Sequence, residues 1–213
     1  MRSIQLLRAS VLVGLVSTGA AYGGRDLGSL NPKAPSETEQ FSFAIGEWSC
    51  KTRGMKPDGT IEESGPATWT FYYILDGWAI QDDWVSEQPD GSRFHGTNIR
   101  SFNPQTGKWD NRWLSQPGLE WKYYESEQVG STMMMTGGEG KDRQGRDFID
   151  RNTFHDITWN SWKWRKDRSF DGGQTWVEGV FFIDAQRIAG GSDAGTGEAS
   201  PQLVPLSEFL DSQ

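Results

Sequence analysis

Cysteine is almost absent from this chain, and its scarcity excludes a whole class of architecture. Cys50 stands alone, so no disulfide can form within the chain in any compartment. It falls on a predicted first strand, where a single cysteine serves as a small core residue. Histidine is equally scarce: His95 and His155 are the only two. Both fall on the predicted outer faces of their strands, away from any cluster of Cys, His or carboxylate, so no metal centre is expected. Gly-x-Ser-x-Gly, His-Glu-x-x-His and the P-loop are all missing. With them go the usual serine hydrolase, metalloprotease and nucleotide-binding signatures, and no cofactor is expected. Basic residues are outnumbered, 21 Lys and Arg against 29 Asp and Glu. An acidic surface repels phosphate backbones and anionic lipid, so nucleic acid is not an expected partner. No segment repeats at a fixed period, which argues against a solenoid or propeller.

Long apolar runs are missing as well, with one short exception at the start. Met1–Arg8 carries two arginines and no acid, Ala9–Ala21 is small and apolar, and Ala21 and Gly23, or Thr18 and Ala20, offer cleavage positions. That order is the order of a secretory signal peptide, expected over residues 1–23. The apolar part is too short for a spanning helix, which needs roughly 20 residues. The mature protein is therefore expected in the periplasm or outside the cell, without stable membrane insertion. Losing Arg2 and Arg8 moves the net charge from −8 to −10.

What the chain does have is aromatic surface. Eleven Trp, eleven Phe and five Tyr give a small domain a large apolar area to bury, or to stack on a planar ligand. Residues 24–35 read as a linker rich in Gly, Pro and Ser. Ser36-x-x-Glu39 reads as a capping box, predicting a helix of about two turns that Gly46 ends. Strand-like segments follow at about 8–12 residue spacing, separated by turn chemistry such as Pro57-Asp58-Gly59, Asp76-Gly77 and Asn103-Pro104. Asp76-Gly77 predicts a two-residue hairpin turn. Gly137–Arg146 reads as a polar loop near a barrel mouth. Residues 189–213 read as a flexible tail, with Leu203–Leu210 able to dock as a short final turn. The expected fold is all-β: one antiparallel lipocalin-like barrel of about eight to ten strands over residues 36–188, with a short N-terminal helix.

Phe41, Gly46 and Trp48, with the helix just before them, carry a resemblance. The chain resembles the calycin superfamily, which includes lipocalins and fatty-acid-binding proteins. It is similar to bacterial calycin-like families of unknown function that pair such a start with turns like Phe102-Asn103-Pro104. The resemblance implies that Gly46 and Trp48 begin the first strand and that Trp48 closes the barrel floor. The chain departs from the lipocalin pattern in having more predicted strands than eight, no disulfide, and no clear long C-terminal helix. A second motif, Ser169-x-Asp171-x-Gly173-x-Thr175-Trp176, is similar to the Asp-box of sialidases. It occurs once, and its chemistry suits a structural turn: Asp171 caps amides, glycines supply positive φ, and Trp176 packs beneath.

Strand alternation sorts candidate site residues by face. Ile80, Asp82 and Trp84 share a face with Trp78. Asn98 and Arg100 lie between Phe94 and Phe102. Asn111 lies between Trp109 and Trp113. Trp121 and Tyr123 share a face with Leu119 and Glu125, Asp150 and Asn152 lie between Phe148 and Phe154, and Glu178 shares a face with Trp176, Val180 and Phe182. The expected inward faces thus carry polar groups, each costing about 1–3 kcal/mol if buried without a partner. They either satisfy one another or line a cavity. Asp82 and Arg100 form one plausible pair, either a buried strut or a ligand clamp. The opposite faces, with Arg93, His95, Lys108, Asp110, Arg112 and Lys122, are expected in solvent.

Three functions fit this pattern. The first is a small-molecule-binding protein that holds a partly polar, apolar or aromatic ligand. Trp84, Arg100, Trp113 and Trp121 would be walls and clamp, and Asp82 and Asn111 polar fixings. The second is a barrel enzyme, an isomerase, cyclase or lyase, using Asp82, Asp150 or Glu178 as acid/base. The third is a structural envelope protein with a filled lumen.

Overall fold

The structure, a computed structural model, describes residues 26–88 and 90–188. The expected signal peptide and C-terminal tail, including Leu203–Leu210, lie outside the described residues. Ten strands follow one helix: β1 (Gly46–Met55), β2 (Ile61–Ile74), β3 (Ala79–Glu87), β4 (Arg93–Asn103), β5 (Lys108–Ser115), β6 (Lys122–Val129), β7 (Thr132–Lys141), β8 (Asp147–His155), β9 (Ser161–Ser169) and β10 (Val177–Arg187). Each strand pairs antiparallel with the next, and β10 returns to pair with β1. The result is a closed up-and-down barrel with no sheet edge left open. Its outer face on β1 carries Glu47, Ser49, Lys51 and Arg53, which is not the apolar band of a lipid-facing barrel. No helix among the described residues is long and apolar enough to cross a membrane.

The helix differs from its sequence reading. It is a 3-10 helix, Ser36–Ala44, preceded by Pro35, with no side-chain cap. The Ser36 hydroxyl turns to Glu37 instead of to the backbone amide that a capping box would use. Proline at the cap position presets φ and takes over the role assigned to Ser36. The helix is a plug. Phe41, Phe43 and Ala44 are almost wholly buried in one end of the barrel, where Phe41 meets Trp109 edge-on and Phe43 meets Phe154.

The barrel floor is built on Trp48. Its indole Nε1 donates to the carbonyl of Ala44 at 2.7 Å, and its ring packs against Trp162. Arg187 covers it from outside, 4.2 Å from its ring and 4.5 Å from Trp159. The same guanidinium donates to the carbonyls of Ile45 at 2.8 Å, Phe43 at 3.2 Å and Trp159 at 2.8 Å. Gly46 begins β1 at φ +138°, and a Cβ there would collide with the Arg187 guanidinium. Glycine is therefore required by both conformation and space.

Several boundaries move. Residues expected to form a linker include a strap: Leu27 accepts from the Tyr73 amide and Asn31 donates to Gly77, tying the strap to the β2–β3 hairpin. That hairpin has a four-residue turn, Leu75–Trp78, with Ile74 paired to Ala79. It is not the two-residue turn that Asp76-Gly77 predicted. The first half of the expected Gly137–Arg146 loop is strand: β7 runs on to Lys141 through a bulge between Gly137 and Gly140, and only residues 142–146 form the turn.

The Asp-box is a turn. Asp171 accepts from the Thr175 amide and hydroxyl and from Ser169, and the Gly173 amide donates to the Ser169 hydroxyl. Trp176 packs under Arg151 at 4.3 Å. These bonds, led by the Thr175 hydroxyl, hold the Asp171 carboxyl down to about 2. A depressed acid favours the fold above its unfolded value near 3.8 and loses that contribution as pH falls through about 2. Asp171→Ala is therefore expected to lower the melting temperature at neutral pH and to narrow the gap from wild type as the pH is brought to 2. Thermal melts across that range check it.

Candidate functional site

The lumen divides into a filled half and an open half. Next to the plug it is solid. Trp48, Trp69, Phe71, Trp109, Phe154 and Trp162 interlock there, all nearly inaccessible. The polar residues of this half pair in part with one another, while Asn98 Oδ1, Arg100 Nε, Asn111 Oδ1 and Trp162 Nε1 are buried without a hydrogen-bond partner. Asp82 accepts from Trp69 Nε1 at 2.6 Å and forms an ion pair with Arg100. The Arg100 guanidinium lies between the rings of Phe41 at 5.1 Å and Phe71 at 5.3 Å. Burial lowers it to about 9, which still leaves it cationic at neutral pH. Asn111 donates to Ser126 at 2.6 Å and to the Tyr124 carbonyl at 3.2 Å. Of the two roles open to the Asp82–Arg100 pair, this geometry matches the buried strut. Asp82, Arg100 and Asn111 are almost wholly enclosed, and none of them lines the cavity at the open end.

The end opposite the plug holds a cavity of about 230 Å³. Its lining comes from β5, β6, β7, β8 and β9: Trp113 and Ser115, Lys122 and Tyr124, Gly138, Phe148 and Asp150, and Lys166, with Gly118 and Glu120 from the β5–β6 connection. Glycines shape it. A Cβ on Gly96 would enter the Trp113 ring, and one on Gly138 would strike the Tyr124 hydroxyl. Both aromatic walls therefore press against backbone that only glycine leaves free.

The charges at this mouth are arranged unevenly. Arg168 grips Asp150 with two bonds, 2.7 and 3.0 Å, and stacks over Phe148 at 3.6 Å. The Lys166 ammonium stands 3.6 Å from the same carboxylate and 5.6 Å from the Trp164 ring. Lys122 donates to the Glu139 carbonyl at 2.9 Å and pairs with exposed Glu120 at 3.0 Å. Burial pushes the Lys166 ammonium below its ordinary value; Asp150 opposes that shift and Arg168 adds to it. Burial, reinforced by Asp150, raises the Tyr124 phenol to about 12, so it remains a protonated donor. Beneath Asp150 on β8 lies Asn152, whose amide oxygen is buried without a partner.

Of the residues expected to bind a ligand, Trp113 and Asp150 line this cavity. Trp84 faces inward and is buried. Trp121 and Glu178 do not face the lumen. Trp121 is more than half exposed, and on β6 it is Tyr124 and Ser126 that point inward, opposite Asn111 and Trp109. A strand placed one residue out of phase presents its other face, and β6 has aromatics on both. Tyr123, with Glu125, is outside. It is covered by Arg112 at 4.1 Å and bonded to Asp110 at 2.8 Å. The same shift brings Lys122, expected in solvent, to the cavity wall.

On β10, Phe181, Ile183 and Ala185 share the inward-facing phase, although Phe181 is only partly buried, while exposed Glu178 faces out. A bulge at Gly179, φ +67°, breaks the alternation, its amide donating to Asp167 at 2.9 Å. The sequence reading missed Lys166, Arg168 and Arg187. The first two sit in Trp-Arg-Lys-Asp-Arg, a run that reads as solvated, and only closure of the barrel turns them inward.

No family model matches the sequence, and no curated protein sequence matches it. Solved structures do. Rv2717c from M. tuberculosis superposes with a TM-score of 0.52 at 13% identity, covering 73% of this chain and 99% of that one. The S-type phycobiliprotein lyase CpeS from Guillardia theta superposes with a TM-score of 0.49 at 11% identity, covering 72% of this chain and 93% of that one. At such identities the likeness to Rv2717c concerns the fold alone. The chain adopts a ten-stranded calycin-like barrel.

Proposed function

We propose that this protein is an exported small-molecule-binding barrel whose ligand sits in the cup at its open end. The observation that carries the reading is the 230 Å³ cavity, walled by Trp113, Tyr124 and Phe148 and edged by Lys122, Asp150 and Lys166. Apolar walls with a few convergent polar groups are the usual makeup of a ligand site. At about 30 Å³ per water, the cavity suits a molecule of one or two rings. The carboxylates considered as acid/base are either held by cations or outside the lumen. Asp82 is held by Arg100, Asp150 by Arg168 and Lys166, and Glu178 faces out. Such pairing favours binding over proton transfer. Export rests on the leader pattern of residues 1–23.

Native mass spectrometry of the protein purified from its own host tests this. A bound small molecule, released on denaturation and bound at least tenfold more weakly by Trp113→Ala, is the expected result. A bare mass, with no change in tryptophan fluorescence across a metabolite panel, would overturn it.

A further inference from the structure

The mouth of this acidic protein holds more positive charge than its own carboxylates neutralise. Lys122 and Lys166 line it and Arg168 holds its wall residues Asp150 and Phe148; the enclosed acid there is Asp150, which Arg168 binds at both oxygens and Lys166 approaches only to 3.6 Å. Glu120, the other acid in the lining, is largely exposed. A cation withdrawn from water without a full partner is costly, and here the cost falls on Lys166. Its neighbours from each side are Asp150 on β8, Arg168 on β9, and Tyr124 and Lys122 on β6. Its register partner on β10 is Phe181, which carries no charge.

We infer that the cup takes a planar aromatic anion, its carboxylate received by Lys166 and Lys122 and its ring held between Trp113, Tyr124 and Phe148. The inference rests on the binding reading above and assigns its ligand class. The anion completes the neutralisation that Asp150 leaves unfinished. The Tyr124 hydroxyl is a third donor within the same lining.

The assignment has a proton signature. An anion beside Lys166 restores the charged form that burial disfavours. Binding should therefore draw in a proton where free Lys166 is partly neutral, and affinity should fall as pH rises through the lysine's bound-state value. The full chain is titrated calorimetrically with 2-naphthoate and with 2-naphthamide, its uncharged counterpart, in buffers of different ionisation heat. The expected result is naphthoate affinity at least tenfold above naphthamide, lost in Lys166→Met, increased in Asp150→Asn, and accompanied by proton uptake at alkaline pH. Circular dichroism of each variant separates a lost site from a lost fold, and Lys122→Met repeats the test from another strand. Equal affinity for the two probes would overturn the anion assignment while keeping the binding barrel. Binding of neither would overturn both.

Discussion

Replacing Arg100 by methionine is expected to destabilise the protein by about 3–5 kcal/mol, the usual consequence of leaving one member of a buried ion pair alone. Asp82 has no exposed surface, and Trp69 is its other partner. Without the guanidinium its charge would sit among Trp69, Phe71 and Phe41 with no counterion. Such a loss is a large part of the roughly 5–15 kcal/mol that holds a domain together. The companion variant separates charge from packing. Asp82→Asn in the Arg100→Met background removes the stranded charge and keeps an acceptor for Trp69, so it should recover much of the loss. Urea unfolding followed by far-ultraviolet circular dichroism measures both. A double variant less stable than Arg100→Met would show that the damage is the cavity between the two phenyl rings and not the orphaned carboxylate. If the strut assignment is correct, ligand affinity in Arg100→Met is unchanged under conditions where the protein remains folded.

The second large effect is at the other end of the aromatic stack. Arg187→Met is expected to cost about 2–4 kcal/mol, since three carbonyls lose a charged donor and two indoles lose a cation. Trp48→Ala should cost about 3–5 kcal/mol, as for other buried aromatics. The two residues touch, so the double variant should lose less than the separate losses added together, by at least about 0.5 kcal/mol. Strict additivity would mean that Arg187 stabilises the barrel through the carbonyls alone. Gly46→Ala probes the same contact from the strand. It should destabilise through its φ and through the displaced guanidinium, and Arg187→Met should relieve the second part.

Both effects concern residues that differ in how openly the sequence displays them. Phe41, Gly46 and Trp48 lie within eight consecutive positions, so local pattern and family resemblance suffice to find them. Their partner Arg187 lies some 140 residues away, and no local rule connects it to Trp48. Asp82 and Arg100 were legible as a pair because their strands are consecutive. Their role was not, because alternation says which face a residue occupies and nothing about how far along the lumen it lies. The plug decides that. Phe41 and Phe43 fill the half where Asp82, Arg100 and Asn111 sit, while Trp113 and Asp150 lie beyond its reach.

The amino-acid sequence by itself determined the all-β class, the single chain of hairpins, the helix before the barrel and the inward faces of β3, β4, β5 and β8. Each follows from a short-range cause: turn chemistry, period-two alternation, or apolar residues confined to one face. Tertiary structure alone decided the strands whose two faces are equally apolar. Tyr123 competes with Tyr124 on β6, and Phe182 with Phe181 on β10. There the choice falls to what lies beside them on the paired strand and outside the barrel: small Ser126 opposite Trp109, Ala185 opposite Cys50, and Arg53 and Arg112 to cover the aromatics left outside. The cationic mouth was decided the same way. Lys122, Lys166 and Arg168 look like surface residues one strand at a time, and only the closed ring of ten strands brings Lys122 and Lys166 to one cavity, with Arg168 bonded to its Asp150.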